Sequence, residues 1–173
     1  MRLVSDTTQI TLLKSLDLKL NGVRIKGKDF RLAGTAKTYI DLVISYIIQS
    51  RLKLSTKQFV DQNALDKLLL FKSVLSKAMI ESGQEASEKP GKFINASSIL
   101  RYKFVNSENL KMSFECGEVA SYMTGVVEFL LSLLLEMGLE QASVMDKKLI
   151  TKEILELAMA DDPDMKFYLK KTS

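Results

Sequence analysis

Hydrophobic residues in the first half of the chain recur at the spacing of amphipathic helices. Between residues 35 and 50 they fall at intervals of three and four, so they share one face of a helix. These positions are Tyr39, Leu42, Val43, Tyr46 and Ile47. Thr35 or Thr38 can cap the helix, because a threonine hydroxyl accepts a hydrogen bond from a first-turn amide.

A second amphipathic helix is predicted to follow an extended loop at residues 51–54. Ser55 or Thr56 can cap this helix, which we expect to end near Ser82-Gly83. Its apolar positions are Phe59, Leu65, Leu68, Leu69, Val74, Leu75, Ala78 and Met79. Pro90-Gly91 then breaks the chain, and Asn95 is placed to cap a third helix that runs to about Val105.

The longest predicted helix covers residues 117–145 and is apolar on nearly all sides between Tyr122 and Leu135. Such a helix is typical of the middle of a core or of an obligate partner interface. Residues 110–113 before it and Leu149-Ile150 after it are predicted to be short extended segments. Thr151 is placed to cap a final helix, which the acidic run at residues 161–164 is expected to end.

Residues 1–34 differ from the rest of the chain. Leu16, Leu18 and Leu20 alternate with polar residues, and Asn21-Gly22 separates them from a second alternating run. Asn-Gly between alternating runs predicts a β-hairpin, because both turn positions adopt positive φ. The second half of the hairpin is basic through Arg24, Lys26, Lys28 and Arg31. These charges indicate either a sheet edge kept soluble by charge or a basic arm for nucleic acid.

Composition narrows the possible functions. The chain has 173 residues, a net charge of +4, a single cysteine (Cys116) and no histidine. These counts exclude an intramolecular disulfide, a cysteine-based zinc cluster and any catalytic site that needs an imidazole. We therefore expect no enzyme, no catalytic residues, no metal and no cofactor. The most apolar segment, residues 126–135, is predicted to be too short to cross a membrane.

Two segments near the C-terminus resemble a known family. Residues 121–130 (SYMTGVVEFL) resemble the central-helix signature of histone two-A, and residues 149–158 (LITKEILELA) are similar to its second loop and third helix. Residues 54–57 (LSTK), 84–87 (QEAS) and 94–99 (INASSI) resemble histone two-B more weakly. This order, two-B-like and then two-A-like, is that of the fused histone doublets of some giant viruses.

The resemblance implies a mainly α fold with two histone-fold-like helical repeats, abridged relative to two complete folds, after a short N-terminal β-hairpin. Its domains would be an arm at residues 1–34, a two-B-like repeat at 35–105 and a two-A-like repeat at 95–173. The last two share the helix at 95–108, so the chain is one helix short. Either the doublet is abridged, or only the C-terminal repeat is a true histone fold. Two such repeats clasp head to tail, with the paired loops and the first-helix ends facing DNA.

The resemblance also implies which residues contact partners. Phosphate-binding positions would be Arg51, Lys53, Lys89, Lys92, Lys111, Lys147, Lys148 and Thr151, which contact DNA without reading its sequence. Lys147 and Lys148 are the strongest candidates, because they precede a capped helix whose amides add partial positive charge. Glu128, Glu136, Asp161 and Asp162 match an acidic patch that docks arginines of chromatin factors. For each set the alternative is an ordinary solvated surface.

Three functions remain open on the sequence. The first is a structural protein that packages double-stranded DNA into nucleosome-like particles with other histone-fold chains, in a nucleus, a viral factory or a virion interior. The second is a histone-fold subunit of a transcription or remodelling complex, acting through heterodimerisation. The third is a helical viral structural or interaction protein that uses the hairpin as a recognition edge. All three predict no membrane partner and no small-molecule substrate.

Overall fold

Helices make up most of the chain in the computed structural model, which describes residues 2–52, 59–60, 74–89, 92–102, 104–105, 111–114 and 117–169. The helices are α1 (Asp6–Ser15), α2 (Gly34–Leu52), α3 (Val74–Glu88), α4 (Ala96–Arg101), α5 (Gly117–Val144), α6 (Lys152–Ala160) and α7 (Pro163–Leu169). The strands are β1 (Asp17–Leu20), β2 (Val23–Lys26), β3 (Arg31–Leu32), β4 (Phe59–Val60), β5 (Phe104–Val105), β6 (Lys111–Phe114) and β7 (Leu149–Ile150). The mainly α class and the N-terminal hairpin are thus confirmed.

The chain forms two compact units. We call Val4–Val43 with Leu131–Ser173 the hairpin unit, and Met1–Leu3 with Ile44–Leu130 the mid-chain unit. Helices α2 and α5 each contribute to both. The hairpin unit holds the N-terminal part of α2 and the C-terminal part of α5, whereas the mid-chain unit holds the other part of each helix.

Helix α1 opens the hairpin unit. The hydroxyl of Ser5 accepts a hydrogen bond from the amide of Thr8, and Leu12 and Leu13 are buried. Gln9 is buried as well, and its side-chain amide donates to the carbonyl oxygens of Val4 and Lys37. Because a polar residue occupies a core-facing position, the apolar pattern of this segment is weak, and this helix was not predicted from the sequence.

The predicted hairpin follows α1. Strands β1 and β2 pair antiparallel, with Leu20 opposite Val23. Asn21 has φ of 51° and Gly22 has φ of 81°, as the Asn-Gly turn requires. A 3-10 turn at Gly27–Asp29 leads from the hairpin into β3.

A parallel strand pair joins the two ends of the hairpin unit. Strand β3 pairs with β7, so that Arg31 lies opposite Leu149 and Leu32 opposite Ile150. Helix α5 ends at Val144, and the chain turns toward β7 through Asp146, whose φ is 55°. The amide of Lys147 donates to the carbonyl of Ala142, as in the left-handed end of a helix that usually carries glycine.

Close helix packing characterises the mid-chain unit. A Cβ atom on Gly125 of α5 would overlap the carbonyl oxygen of Ser82 on α3, so the two backbones touch at this point. One turn away, the ring of Tyr122 covers Gly83, where a Cβ would lie 2.6 Å from the ring carbons. The small residues on α3 and α5 therefore allow an approach that larger side chains would prevent.

A three-stranded sheet completes the mid-chain unit. Strand β6 lies in the centre, parallel to β4 and antiparallel to β5. Asn95 caps α4 by accepting a hydrogen bond from the amide of Ser97 at 3.0 Å. The hydroxyls of Ser45 and Tyr102 are 3.1 Å apart, which ties α2 to the end of α4.

Several predicted boundaries were wrong. Phe59-Val60 forms β4 instead of the first turns of a helix, because β6 offers these residues a strand partner far along the chain. Helix α3 passes Gly83 and ends at Glu88, and α4 ends at Arg101, before β5. The acidic run ends α6 at Ala160 as expected, but Pro163 then begins a further helix, α7, which was not predicted. It takes the first helical position, and Asp162 caps the helix by accepting a hydrogen bond from the amide of Met165.

Helix α5 is more apolar than its central ten residues indicated. The stretch Val119–Val144 is long and apolar enough to cross a membrane by length and composition. However, 61% of its most apolar 18-residue window is buried inside the protein. That burial is typical of a core helix, which passes the same test, so the finding is weak evidence for a membrane span.

Candidate nucleic-acid interface

The β3–β7 pair brings together basic residues that are far apart in the sequence. The amide of Arg31 donates to the carbonyl of Lys148 at 2.9 Å, and the amide of Ala33 donates to the carbonyl of Ile150 at 3.0 Å. Arg31, Lys147 and Lys148 are all exposed. We call these three residues with Thr151 the strand-pair site.

An aromatic ring holds one of these cations. The ammonium of Lys148 lies 4.7 Å from the centre of the Phe30 ring, within the range of a cation–π interaction. Phe30 itself is buried, so the ring is fixed by the core of the hairpin unit. Lys148 is therefore restrained more than an ordinary surface lysine, which lowers the entropy lost when it binds an anion.

Helix α6 begins at the edge of the strand-pair site. Thr151 caps it by accepting a hydrogen bond from the amide of Ile154 at 3.3 Å. The next residue, Lys152, is engaged locally: its ammonium lies 3.6 Å from a carboxylate oxygen of Glu156 and 5.6 Å from the centre of the Tyr39 ring. Burial, and then the charge of Glu156, raises the pKa of the Tyr39 hydroxyl.

Acidic residues reduce the charge of this surface without cancelling it. Residues 28–34 and 146–151 contain four basic residues, Lys28, Arg31, Lys147 and Lys148, and two acidic residues, Asp29 and Asp146, so the net charge is +2. A surface of this charge can attract phosphates, but its contribution falls with ionic strength because the groups are exposed.

The other predicted phosphate contacts belong to the mid-chain unit or lie outside the described residues. Lys89 follows α3 and is exposed, and Lys92 is exposed three residues later. Arg51 lies in the last turn of α2 and Lys111 begins β6, and only their backbones are described. Lys53 lies outside the described residues. The strand-pair site thus gathers Lys147, Lys148 and Thr151 of the predicted set.

The predicted acidic residues have different surroundings. Asp161 is exposed, whereas Asp162 uses its carboxylate to cap α7. Glu136 is half-buried on α5, where burial, and then the charge of Glu140, raises the pKa of its carboxyl. Of these three predicted residues, therefore, Asp161 alone has the full exposure expected of a docking patch.

Glu128 lies beside a cavity of about 390 Å³ in the mid-chain unit. The cavity is lined by Lys92, Phe93, Ile94, Asn95, Ala96, Ser121 and Thr124. Burial raises the pKa of the Glu128 carboxyl, and the backbone amides of Phe93 and Ile94 and the charge of Lys92 partly oppose that shift. One of its carboxylate oxygens is buried and has no hydrogen-bond partner among the described residues. This environment differs from that of a solvated acidic patch.

Sequence reasoning missed two residues that form or support this surface. Phe30 was not singled out, and Arg31 was assigned to the hairpin arm instead of to the loops that carry Lys147 and Lys148. Their proximity depends on a strand pair between segments more than a hundred residues apart, which no local pattern indicates. The only signal was the short apolar pair at each end, Leu32 in β3 and Ile150 in β7, both of which are buried.

No protein-family model matches this chain, and no curated protein is similar to it at a significant level. Among the residues that the structure describes, no three or more acidic or cysteine side chains are placed to hold a metal ion.

Proposed function

We propose that this chain is a histone-doublet-like protein that binds double-stranded DNA through sequence-independent phosphate contacts and packages it with other histone-fold chains. In this proposal, two helical repeats in one polypeptide pair with each other. The loops at the ends of their central helices form the DNA-contacting surface.

The main support for the proposal is the way in which the strands flanking α2 pair with the strands flanking α5. The strand before α2 (β3) pairs in parallel with the strand after α5 (β7). The strand after α2 (β4) likewise pairs in parallel with the strand before α5 (β6). Two helices with a strand at each end make this reciprocal pattern when they clasp head to tail. The resemblance to histones implies the same pairing of loops.

From this strand pairing we also propose new boundaries for the two repeats. Helix α2 takes the place of the first central helix, which the sequence had assigned to residues 56–82. Helix α1 then supplies the first helix of the N-terminal repeat, and α6 follows the second central helix. The helix that the sequence predicted at 95–108, which the structure has as α4, then no longer has to serve two repeats.

The strand-pair site supplies the DNA-binding surface of this proposal. Arg31, Lys147 and Lys148 come from the paired loops, and the first turn of α6 adds amide dipoles beside them. The groups act through charge and carry no pattern that could read base edges. Binding is therefore expected to be insensitive to sequence and strongly dependent on salt.

Salt titration of duplex binding tests the proposal. The wild-type chain, with and without a histone-fold partner pair, is titrated against duplexes of two unrelated sequences at several salt concentrations. We expect equal affinities for both duplexes. We also expect that replacing Lys147 and Lys148 by Gln reduces the slope of log affinity against log salt by about 1.8, or about 0.9 per lost phosphate contact.

A matched variant controls for the loss of charge. Lys77 of α3 and Lys166 of α7 are also exposed, and Lys77→Gln with Lys166→Gln removes the same two charges elsewhere. This control should leave the slope unchanged. The DNA-packaging proposal is abandoned if the wild type binds neither duplex at low salt, even with the partner pair present.

An apolar groove favours a second candidate, a histone-fold subunit that acts mainly in protein pairing. A cavity of about 340 Å³ is lined by Gly34, Thr35, Thr38, Tyr39, Leu42 and Lys152, and Leu42 is 60% exposed. A large exposed apolar residue in a groove can serve as a protein contact. Leu42→Ser would then weaken assembly with other histone-fold chains, measured by sedimentation, while leaving the salt slope of DNA binding unchanged.

A further inference from the structure

The β1–β2 hairpin and its link to β3 form a basic segment of the chain. Residues 17–31 contain five basic residues (Lys19, Arg24, Lys26, Lys28 and Arg31) and two acidic ones (Asp17 and Asp29), a net charge of +3. The whole chain has a net charge of +4, so the other residues together contribute only +1. Residues 17–31 therefore hold an excess of positive charge on a short stretch of the chain.

Strand register places the charges on one face of the hairpin. Asp17 is opposite Lys26 and Lys19 is opposite Arg24, whereas Leu18 is opposite Ile25. Because side chains alternate along a strand, the four charged residues share one face and the apolar residues share the other. Ile25 on the apolar face is buried, so that face packs toward the core of the hairpin unit.

The base of the hairpin is fixed. The amide of Gly27 donates to the carbonyl of Leu16 at 2.8 Å, and a Cβ atom at Gly27 would overlap the carbonyl oxygen of Leu13. Three residues after Gly27 comes the buried Phe30, whose ring lies beside the ammonium of Lys148 of the strand-pair site. A continuous series of contacts thus connects α1, the hairpin base and the strand-pair site.

Within the hairpin, one carboxylate lies among three cations. The Arg24 guanidinium donates to the Asp17 carboxylate at 2.8 Å. Hydrogen bonding to Arg24, together with the charges of Arg24, Lys26 and Lys28, lowers the pKa of Asp17. Asp17 therefore neutralises part of a cluster that would otherwise carry three positive charges.

We propose that the basic face of this hairpin is a second phosphate-contacting surface, which grips the backbone of duplex DNA next to the strand-pair site. The inference rests on the proposed function, because it takes the same DNA as its partner. Lys19, Lys26 and Lys28 contact phosphates, and the fixed base presents them without the ordering cost of a flexible basic tail. Asp17 moderates the affinity by holding Arg24.

Paired variants of the full chain test this inference by salt titration of a mixed-sequence duplex. Replacing Lys19 and Lys26 by Gln should reduce the slope of log affinity against log salt by about 1.8. Between about 50 and about 200 mM salt, the affinity of the variant should therefore fall about tenfold less than that of the wild type. Lys77→Gln with Lys166→Gln is the matched control and should not change the slope. Circular dichroism and thermal unfolding check that each variant is folded.

A gain of binding provides the second arm. Asp17→Asn releases Arg24 and removes the only acidic residue from the hairpin face, so the slope should rise by about 0.9. Glu85→Gln changes the net charge equally on the exposed surface of α3 and should have no such effect. A misfolded variant would not bind DNA with a steeper salt slope, so this test does not depend on interpreting a loss of binding.

The outcomes separate this inference from the proposed function. The hairpin surface alone is overturned if the salt slope falls as expected in the Lys147/Lys148 variant but does not change in the Lys19/Lys26 and Asp17 variants. The reverse pattern overturns the strand-pair site and supports the hairpin. If polyglutamate competes for the protein as strongly as unlabelled duplex does, the hairpin binds acidic proteins and the inference is overturned. A wild-type chain that binds no duplex overturns it as well.

Discussion

The two parts of α5 pack in different ways in the two units. In the mid-chain unit, Gly125 faces backbone, because the carbonyl oxygen of Ser82 occupies the space that a side chain would need. In the hairpin unit, Gly138 faces side chains, the nearest being those of Leu155 and Ile150. At these two positions of α5, therefore, one contact is with backbone, which cannot yield, and the other is with side chains, which can adopt new rotamers.

Gly125→Ala should have the largest effect on stability. The methyl group can be accommodated only if the backbones of α3 and α5 move apart, a cost that exceeds the gain in helix propensity. We expect a loss of about 2 kcal/mol in the free energy of unfolding, and a fall of about 6 °C in the melting temperature. Thermal and urea unfolding measure both.

Gly34→Ala is the control for this substitution. No atom would lie within 4 Å of the new Cβ at the start of α2, so unfolding should be almost unchanged. A Gly125→Ala variant as stable as the wild type would show that the helices of the mid-chain unit do not touch through their backbones.

Removing a helix cap in either unit should have a smaller effect on stability than Gly125→Ala. Thr151 caps α6 in the hairpin unit and Asn95 caps α4 in the mid-chain unit, each through one side-chain oxygen. Replacing either residue by Ala leaves a first-turn amide without that acceptor and should cost about 1 kcal/mol. Chemical denaturation measures the loss in each variant.

Thr151→Ala also separates stability from DNA contact. Thr151 carries no charge, so the variant should keep the salt slope of the wild type while it unfolds more easily. A change in slope as large as that of a lysine variant would show that α6 binds phosphate directly through its cap. An unchanged slope would mean that Thr151 supports the strand-pair site by capping α6 and adds no charge-dependent contact of its own.

Local signals account for what the sequence predicted correctly. Asn21-Gly22 specifies its turn through backbone preference alone, and the cap at Thr151 depends on residues within one turn. Helix α1 was missed because Gln9 takes a core position. Helix α7 was missed because a proline at a first helical position resembles a helix stop in the sequence. Both errors come from residues whose role depends on their partners.

The candidate site was only half accessible to sequence reasoning. Lys147 and Lys148 were predicted through the resemblance, which supplied a place for them beside a helix start. Arg31 and Phe30 join them through the β3–β7 pair, and strand β4 was mistaken for a helix for the same reason. Two-residue strands have too little sequence to specify their partners, because the pairing is decided by what the rest of the fold brings together.

Two half-buried glutamates on α5 extend the comparison to electrostatics. Burial raises the pKa of both Glu136 and Glu128, but Glu140 adds repulsion at Glu136, whereas two amides and Lys92 oppose the shift at Glu128. The folded chain therefore binds the Glu136 proton more tightly than the unfolded chain does. Its contribution to stability is greatest below the ordinary value of 4.5 and is lost as the pH rises through the folded pKa.

Glu136→Gln should therefore stabilise the protein at neutral pH and have no effect near pH 4. The gain should be below about 1 kcal/mol, because the carboxyl is partly solvated. Glu128→Gln should give a smaller gain, since the ionised form already has favourable neighbours. Urea unfolding from about pH 4 to about pH 8 measures both variants. A gain at neutral pH that is larger for Glu128→Gln than for Glu136→Gln would contradict the assigned surroundings.

The smallest effect is expected at Gly138. A Cβ atom there would lie 2.9 Å from a terminal methyl of Leu155 and 3.1 Å from a methyl of Ile150, and both side chains can move. The gain in helix propensity then offsets most of the crowding, so Gly138→Ala should change the free energy of unfolding by less than about 1 kcal/mol. Urea unfolding beside Gly125→Ala gives the decisive ratio. Equal losses at the two glycines would mean that the side chains around Gly138 are as immovable as the backbone of α3, and the contrast between the two parts of α5 would then disappear.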